Sequence, residues 1–153
     1  MMGRFPAGLY WIRMEVPSIG LSEARYEVLW LFPTGAFRYI ACWPGYTWFE
    51  ASGRWQYGNG LIHCRGKSSS STDDFSNNHD NCLYTTEFTA CEGGQALASV
   101  EVPTKHFERL SPQQVWPLYT LDERDVPTRW QDFQTLMWKI ERQVLQVNGK
   151  QTT

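Results

Sequence analysis

Residues 26–64 carry the pattern that most constrains this chain. They read YEVLWLF-PTG-AFRYIACW-PGYT-WFEASGRWQY-GNG-LIHC. Turn signals separate short runs rich in aromatic and β-branched residues, a spacing that predicts an antiparallel meander. In Pro33-Thr34-Gly35 the proline presets φ and the glycine supplies a positive φ, and Pro44-Gly45 forms the next turn. Gly58-Asn59-Gly60 is the strongest hairpin signal in the chain.

Strand-like runs continue on both sides of the meander. They fall at 9–16, 25–32, 36–43, 47–51, 54–57, 61–64, 83–90 and 96–102, with a short last strand within 105–110. In 25–32, Tyr26, Val28, Trp30 and Phe32 share one face while Leu29 and Leu31 share the other, so the end of this strand is expected to be covered on both sides. In 96–102 the shared face is Ala96, Ala98, Val100 and Val102. Runs at intervals of roughly 8–12 residues predict a mainly β fold, an antiparallel up-and-down barrel or a sandwich of about 8 strands.

Two segments break the strand pattern. Residues 66–81 include KSSSSTDDFSNNHDN, with Phe75 as the one large apolar residue. Such a tract buries too little surface to offset its ordering entropy, and reads as a flexible loop. At the other end, Pro127 and the Thr128-x-x-Gln131 capping box open a helix over about 128–147, closed by Asn148-Gly149. Trp130, Phe133, Met137, Ile140 and Val144 recur at spacings of three and four. They form one apolar stripe, expected to dock on the outside or across one mouth of the β-structure. With 153 residues, the whole of 1–153 suits a single domain.

Charge and composition exclude several function classes. Net charge is −2 and no long basic run exists, which argues against a nucleic-acid partner. No apolar run reaches the roughly 18 residues of a membrane helix. Arg4, Pro6 and Arg13 interrupt the N-terminal apolar residues, so that end does not read as a secretory signal and a cytoplasmic location is expected. There Cys42, Cys64, Cys82 and Cys91 would stay reduced. Cys42 and Cys64 read as small buried hydrophobes. Next to Cys64 stands His63, but adjacent strand residues face opposite ways and no CxxC or HxxxH is present. No metal and no cofactor is expected.

The aromatic set is the informative one, at 15% of the chain with 8 Trp, 8 Phe and 7 Tyr. Trp30, Tyr39, Trp43, Trp55 and Tyr57, with Trp48 beside them, come from neighbouring strands. They fill a core, line a pocket for an apolar or aromatic small molecule, or form a protein-recognition face. Glu27 and Glu50 stand among large apolar neighbours. Pointing inward, either carboxyl would be a candidate catalytic acid or base. Alternation favours an outward Glu27 and an outward Glu101.

LFPTGAFRY followed by GRWQYGNGLIHC resembles the repeated hairpins of lipocalin-like (calycin) β-barrels, over about residues 26–64. A helix after the strands is similar too. The first strand carries Leu9-Tyr10-Trp11 where a lipocalin would carry Gly-x-Trp. The resemblance implies a cup that binds a small apolar molecule. Some members of that superfamily are enzymes, including isomerases and cyclases, but no catalytic motif here matches one. Three functions are therefore expected in turn: binding of an apolar or aromatic small molecule, a cofactor-independent enzyme of isomerase or cyclase type, and an intracellular protein-binding inhibitor or immunity-type module.

Overall fold

The computed structural model describes residues 6–18, 21–43, 47–71, 79–115, 118 and 121–152. Turn chemistry sets its topology. Asn59 and Gly60 both take positive φ, 55° and 77°, the type I′ geometry whose twist matches that of the flanking strands. Gly35 (φ 93°) closes the turn after Phe32, where Gly35 N–H donates to the Phe32 carbonyl at 3.0 Å. Hairpins of this kind join neighbours in sequence, and eight strands close into an antiparallel barrel in simple sequence order. They are β1 (Gly8–Ser18), β2 (Leu21–Leu31), β3 (Ala36–Trp43), β4 (Thr47–Gly58), β5 (Leu61–Ser71), β6 (His79–Cys91), β7 (Ala96–Ser99) and β8 (His106–Leu110). A four-residue helix, α1 (Pro112–Val115), and a long one, α2 (Trp130–Thr152), follow.

The wall separates two apolar clusters. Inside are Tyr10, Leu29, Leu31, Phe37, Tyr39, Ala51, Trp55, Ile62, Cys64, Phe88, Leu97 and Phe107. Outside, Trp11, Tyr26, Val28, Trp30, Phe32, Ile40, Cys42 and Trp48 pack with Phe133, Met137 and Ile140 of α2. The helix therefore docks on the outer face of β1–β4, and both faces of β2 are dry. Trp48 and Phe133 meet edge to face at 5.6 Å. Tyr26 donates to Glu141, which also pairs with Arg13 at 2.7 Å, so the helix is tied to β1 and β2 by polar contacts as well.

Four sequence expectations are corrected. The runs 47–51 and 54–57 form one continuous strand, because Gly53 pairs directly with Gly66 of β5. A Cβ at Gly53 would lie 2.1 Å from the Arg65 carbonyl oxygen, and one at Gly66 would lie 1.8 Å from that of Ser52. The strands cross too closely there for any other residue. The loop expected at 66–81 is shorter: residues 66–71 continue β5 and 79–81 begin β6, while 72–78 lie outside the described residues. Ser68 to Ser71 pair in register with Trp48 to Ala51, so ladder hydrogen bonds, not side-chain hydrophobicity, order that tract. The strand 96–102 stops at Ser99, with Leu97 buried and Val100 and Val102 exposed. The large Leu97, rather than the alanines beside it, takes the inner face. Finally, α2 runs through Asn148-Gly149 to Thr152.

Candidate functional site

Side-chain parity on β2 builds the site. Glu27, Leu29 and Leu31 occupy alternate positions, and Leu29 and Leu31 face the interior. Glu27 therefore points inward and is fully buried, contrary to the outward orientation expected from the sequence. The physical reason lies across the wall. The even positions, Tyr26 to Phe32, are claimed by the apolar stripe of α2.

A buried carboxylate requires donors. Tyr39, diagonal to Glu27 across the β2–β3 pair, donates its hydroxyl to Glu27 Oε1. Lys105, the residue before β8, places Nζ 2.6 Å from the same oxygen. Arg25 Nη2 lies 2.7 Å from Oε2, near enough for Coulombic attraction without hydrogen-bond alignment. Arg25 and Lys105 keep 23% and 26% of their side-chain surface in solvent, against 0% for Glu27. The cluster thus links the interior to the end of the barrel at which β1, β3, β5 and β7 finish.

An aromatic layer backs the cluster. Tyr39 stacks with Tyr84 at 6.3 Å and meets Phe49 at 5.8 Å and Phe107 at 6.3 Å edge to face. Phe37 joins through Tyr84 at 6.2 Å, and Phe88 through Phe107 at 5.5 Å. Burial, joined by the negative charge of Glu27, pushes the Tyr39 phenol well above its ordinary range. It remains a hydrogen-bond donor at neutral pH. Burial also raises the Tyr84 phenol and pushes the Cys64 thiol up to about 12, so Cys64 is a small apolar filler and not a nucleophile. The opposite end is plugged. Tyr10 donates to the Pro6 carbonyl at 2.8 Å, Trp55 Nε1 to the Phe32 carbonyl at 2.9 Å, and Arg109 to the Ala7 carbonyl at 2.6 Å while lying over the Tyr10 ring.

The other residues singled out from sequence are dispersed. Tyr39 and Trp55 share the interior, Trp55 in the plug and Tyr39 at the cluster. Trp30 is on the outer face under α2, with Nε1 buried and unpartnered. Tyr57 continues the inward face of β4 but is 38% exposed. The Trp43 side chain lies outside the described residues. Glu50 faces outward, 3.2 Å from Arg38, at a polar groove of about 330 Å3 also lined by Ser52, Lys67, Ser69 and Asn81. His63 and Cys64 separate as expected, the histidine outside against Glu87 at 2.6 Å and the cysteine inside.

Sequence reasoning missed Lys105, Arg25, Tyr84 and Phe107. The parity of Arg25 with Glu27, Leu29 and Leu31 was a usable signal; nothing local to Lys105 marked it. Among the described residues no group of three or more His, Cys, Asp or Glu is placed to hold a metal ion, and no helix is long and apolar enough to cross a membrane. Comparison with family models, curated proteins and solved structures finds no match to this chain.

Proposed function

We propose that the barrel binds a small apolar or aromatic molecule, with the ring system of the ligand against Tyr39, Phe49 and Tyr84 and one polar group directed at Glu27, Tyr39 and Lys105. One observation carries this reading: a fully buried carboxylate inside an aromatic interior, held by donors of which Lys105 reaches solvent. Polar groups placed singly within an aromatic lining are what fix a ligand's orientation in a largely apolar site. A core with no ligand to orient gains nothing from such a group that a leucine would not supply.

The experiment is a fluorescence titration with a panel of apolar and aromatic compounds, repeated on Tyr39→Phe and Trp30→Phe. Loss of the Tyr39 hydroxyl should weaken binding about tenfold, the equivalent of about 1.4 kcal/mol. Trp30→Phe should leave binding unchanged, since Trp30 is across the wall. A panel that never perturbs the fluorescence refutes the reading.

The same cluster favours a second reading, a cofactor-independent enzyme of isomerase or cyclase type. In it, Glu27 takes a proton from a bound substrate while Tyr39 donates a hydrogen bond to the developing charge. Glu27→Gln would then abolish turnover while binding persists.

A further inference from the structure

Strand lengths are unequal around the barrel. β7 and β8 have four and five residues, while their neighbours β6 and β1 have thirteen and eleven. β1 pairs with β8 only over Leu9–Trp11, and β6 with β7 only over Phe88–Cys91. Toward the Glu27 end, and among the described residues, the strand ladders pair residues 12–18 of β1 with β2 and 79–87 of β6 with β5, and Val100 N–H donates to the Glu87 carbonyl. Between them the short β7 and β8 do not extend, leaving a gap in the strand ladder of roughly 14 Å from strand spacing. The connection 100–105 crosses that span. Residues 100–104 are exposed, and Lys105 is where the connection turns in to meet Glu27.

This places an amine at the gap in the strand ladder, beside a buried carboxylate and an aromatic layer. We propose that Lys105 captures aldehydes, forming a reversible imine with an aromatic or apolar aldehyde that reaches it through the gap. The proposal rests on the binding reading above and names its ligand class. Each requirement of the reaction has a residue. The Lys105 ammonium passes a proton to Glu27 Oε1, 2.6 Å away. The neutral amine forms a C–N bond to the carbonyl carbon, and the amine's second proton passes to the former carbonyl oxygen, giving a carbinolamine. Glu27 then returns its proton to that hydroxyl, the C–O bond breaks, and water leaves through the gap. The product is a protonated imine paired with the restored Glu27 carboxylate. An ammonium and an aldehyde become an iminium and a water, and nothing is oxidised or reduced. Tyr39, which donates to the same carboxylate, keeps Glu27 oriented, and the aromatic layer holds the rest of the aldehyde.

The test incubates the intact protein with naphthaldehyde and sodium cyanoborohydride at neutral pH, and maps the reduced adducts by peptide mass spectrometry. Lys105 should be labelled at least about tenfold faster than the exposed Lys67 and Lys139. Glu27→Gln should slow labelling of Lys105 about tenfold or more while surface labelling is unchanged. Lys105→Arg keeps the positive charge opposite Glu27, guards against misfolding, and should remove only that adduct. Naphthalenemethanol, which has the ring without the carbonyl, is titrated in parallel. If the alcohol binds and Lys105 is labelled no faster than the surface lysines, the imine is overturned and the binding reading stands. If the alcohol does not bind and labelling is uniform, both fall.

Discussion

Tyr39 and Glu27 occupy diagonal positions on neighbouring strands, and the Tyr39 hydroxyl donates to the Glu27 carboxylate inside the barrel. The carboxylate is fully buried and the tyrosine nearly so, and Lys105 supplies the charge that makes the pair tolerable. Stability and any ligand chemistry therefore depend on the same three side chains.

Removing the carboxylate should be costly. Glu27→Ala leaves the Lys105 ammonium and the Tyr39 hydroxyl facing an apolar interior, and breaking a buried pair from one side typically costs about 3–5 kcal/mol. Because Lys105 is one-quarter exposed and can swing outward, the cost falls below that range, about 2–3 kcal/mol by urea denaturation. A double variant, Glu27→Leu with Lys105→Met, should recover most of that loss. No recovery would mean that the charge pair is not what the single variant disturbs.

Two tryptophans of similar burial should respond differently to the same truncation. Trp55 Nε1 donates to the Phe32 carbonyl at 2.9 Å, whereas Trp30 Nε1 is buried without a partner. Trp→Phe deletes a similar volume at each. Trp55→Phe should therefore cost about 1 kcal/mol more than Trp30→Phe, the value of one hydrogen bond. Equal losses in parallel thermal melts would contradict the assigned geometry.

Gly53 and Gly66 should be the least replaceable glycines in the wall. An alanine at either drives its Cβ to within 2.1 Å or 1.8 Å of a carbonyl oxygen on the facing strand, and backbone atoms cannot rotate away. Each Gly→Ala change should cost about 3 kcal/mol or leave the protein insoluble. Gly58→Ala, where a Cβ meets nothing within 4 Å, is the control and should behave as wild type.

Stability should fall in alkali. Tyr26, Tyr39 and Tyr84 all have phenols raised above the ordinary 10.0, in each case first by burial. The folded state keeps those protons at a pH where the unfolded chain releases them. The contribution is complete below pH 10 and is lost as pH climbs past it, with a slope of about 1 kcal/mol per pH unit for a fully buried phenol. Urea midpoints measured from about pH 8 to pH 11 should decline only at the upper end. Tyr39→Phe should flatten the decline.

Much of this fold was legible in the chain. The PTG and GNG turns, the period-two aromatic runs and the helical stripe of Phe133, Met137 and Ile140 are local signals, and the barrel and helix follow from them. The candidate site was less legible. Tyr39 was found as one aromatic among several, but Trp30, of the same character, belongs to the helix interface. Glu27 was identified as a candidate acid or base yet given the wrong face. Lys105 went unnoticed because its partner stands 78 positions away in sequence.

Sequence by itself determined which residues pair into hairpins and which face of each strand is shared. Turn type and side-chain period are properties of a few consecutive residues. Only tertiary structure decided which face of β2 became the interior. Both faces are apolar, and the choice was made when α2 covered Tyr26, Val28, Trp30 and Phe32, turning Glu27 inward to meet Tyr39 and Lys105. A contact between distant segments leaves no periodic trace in either of them.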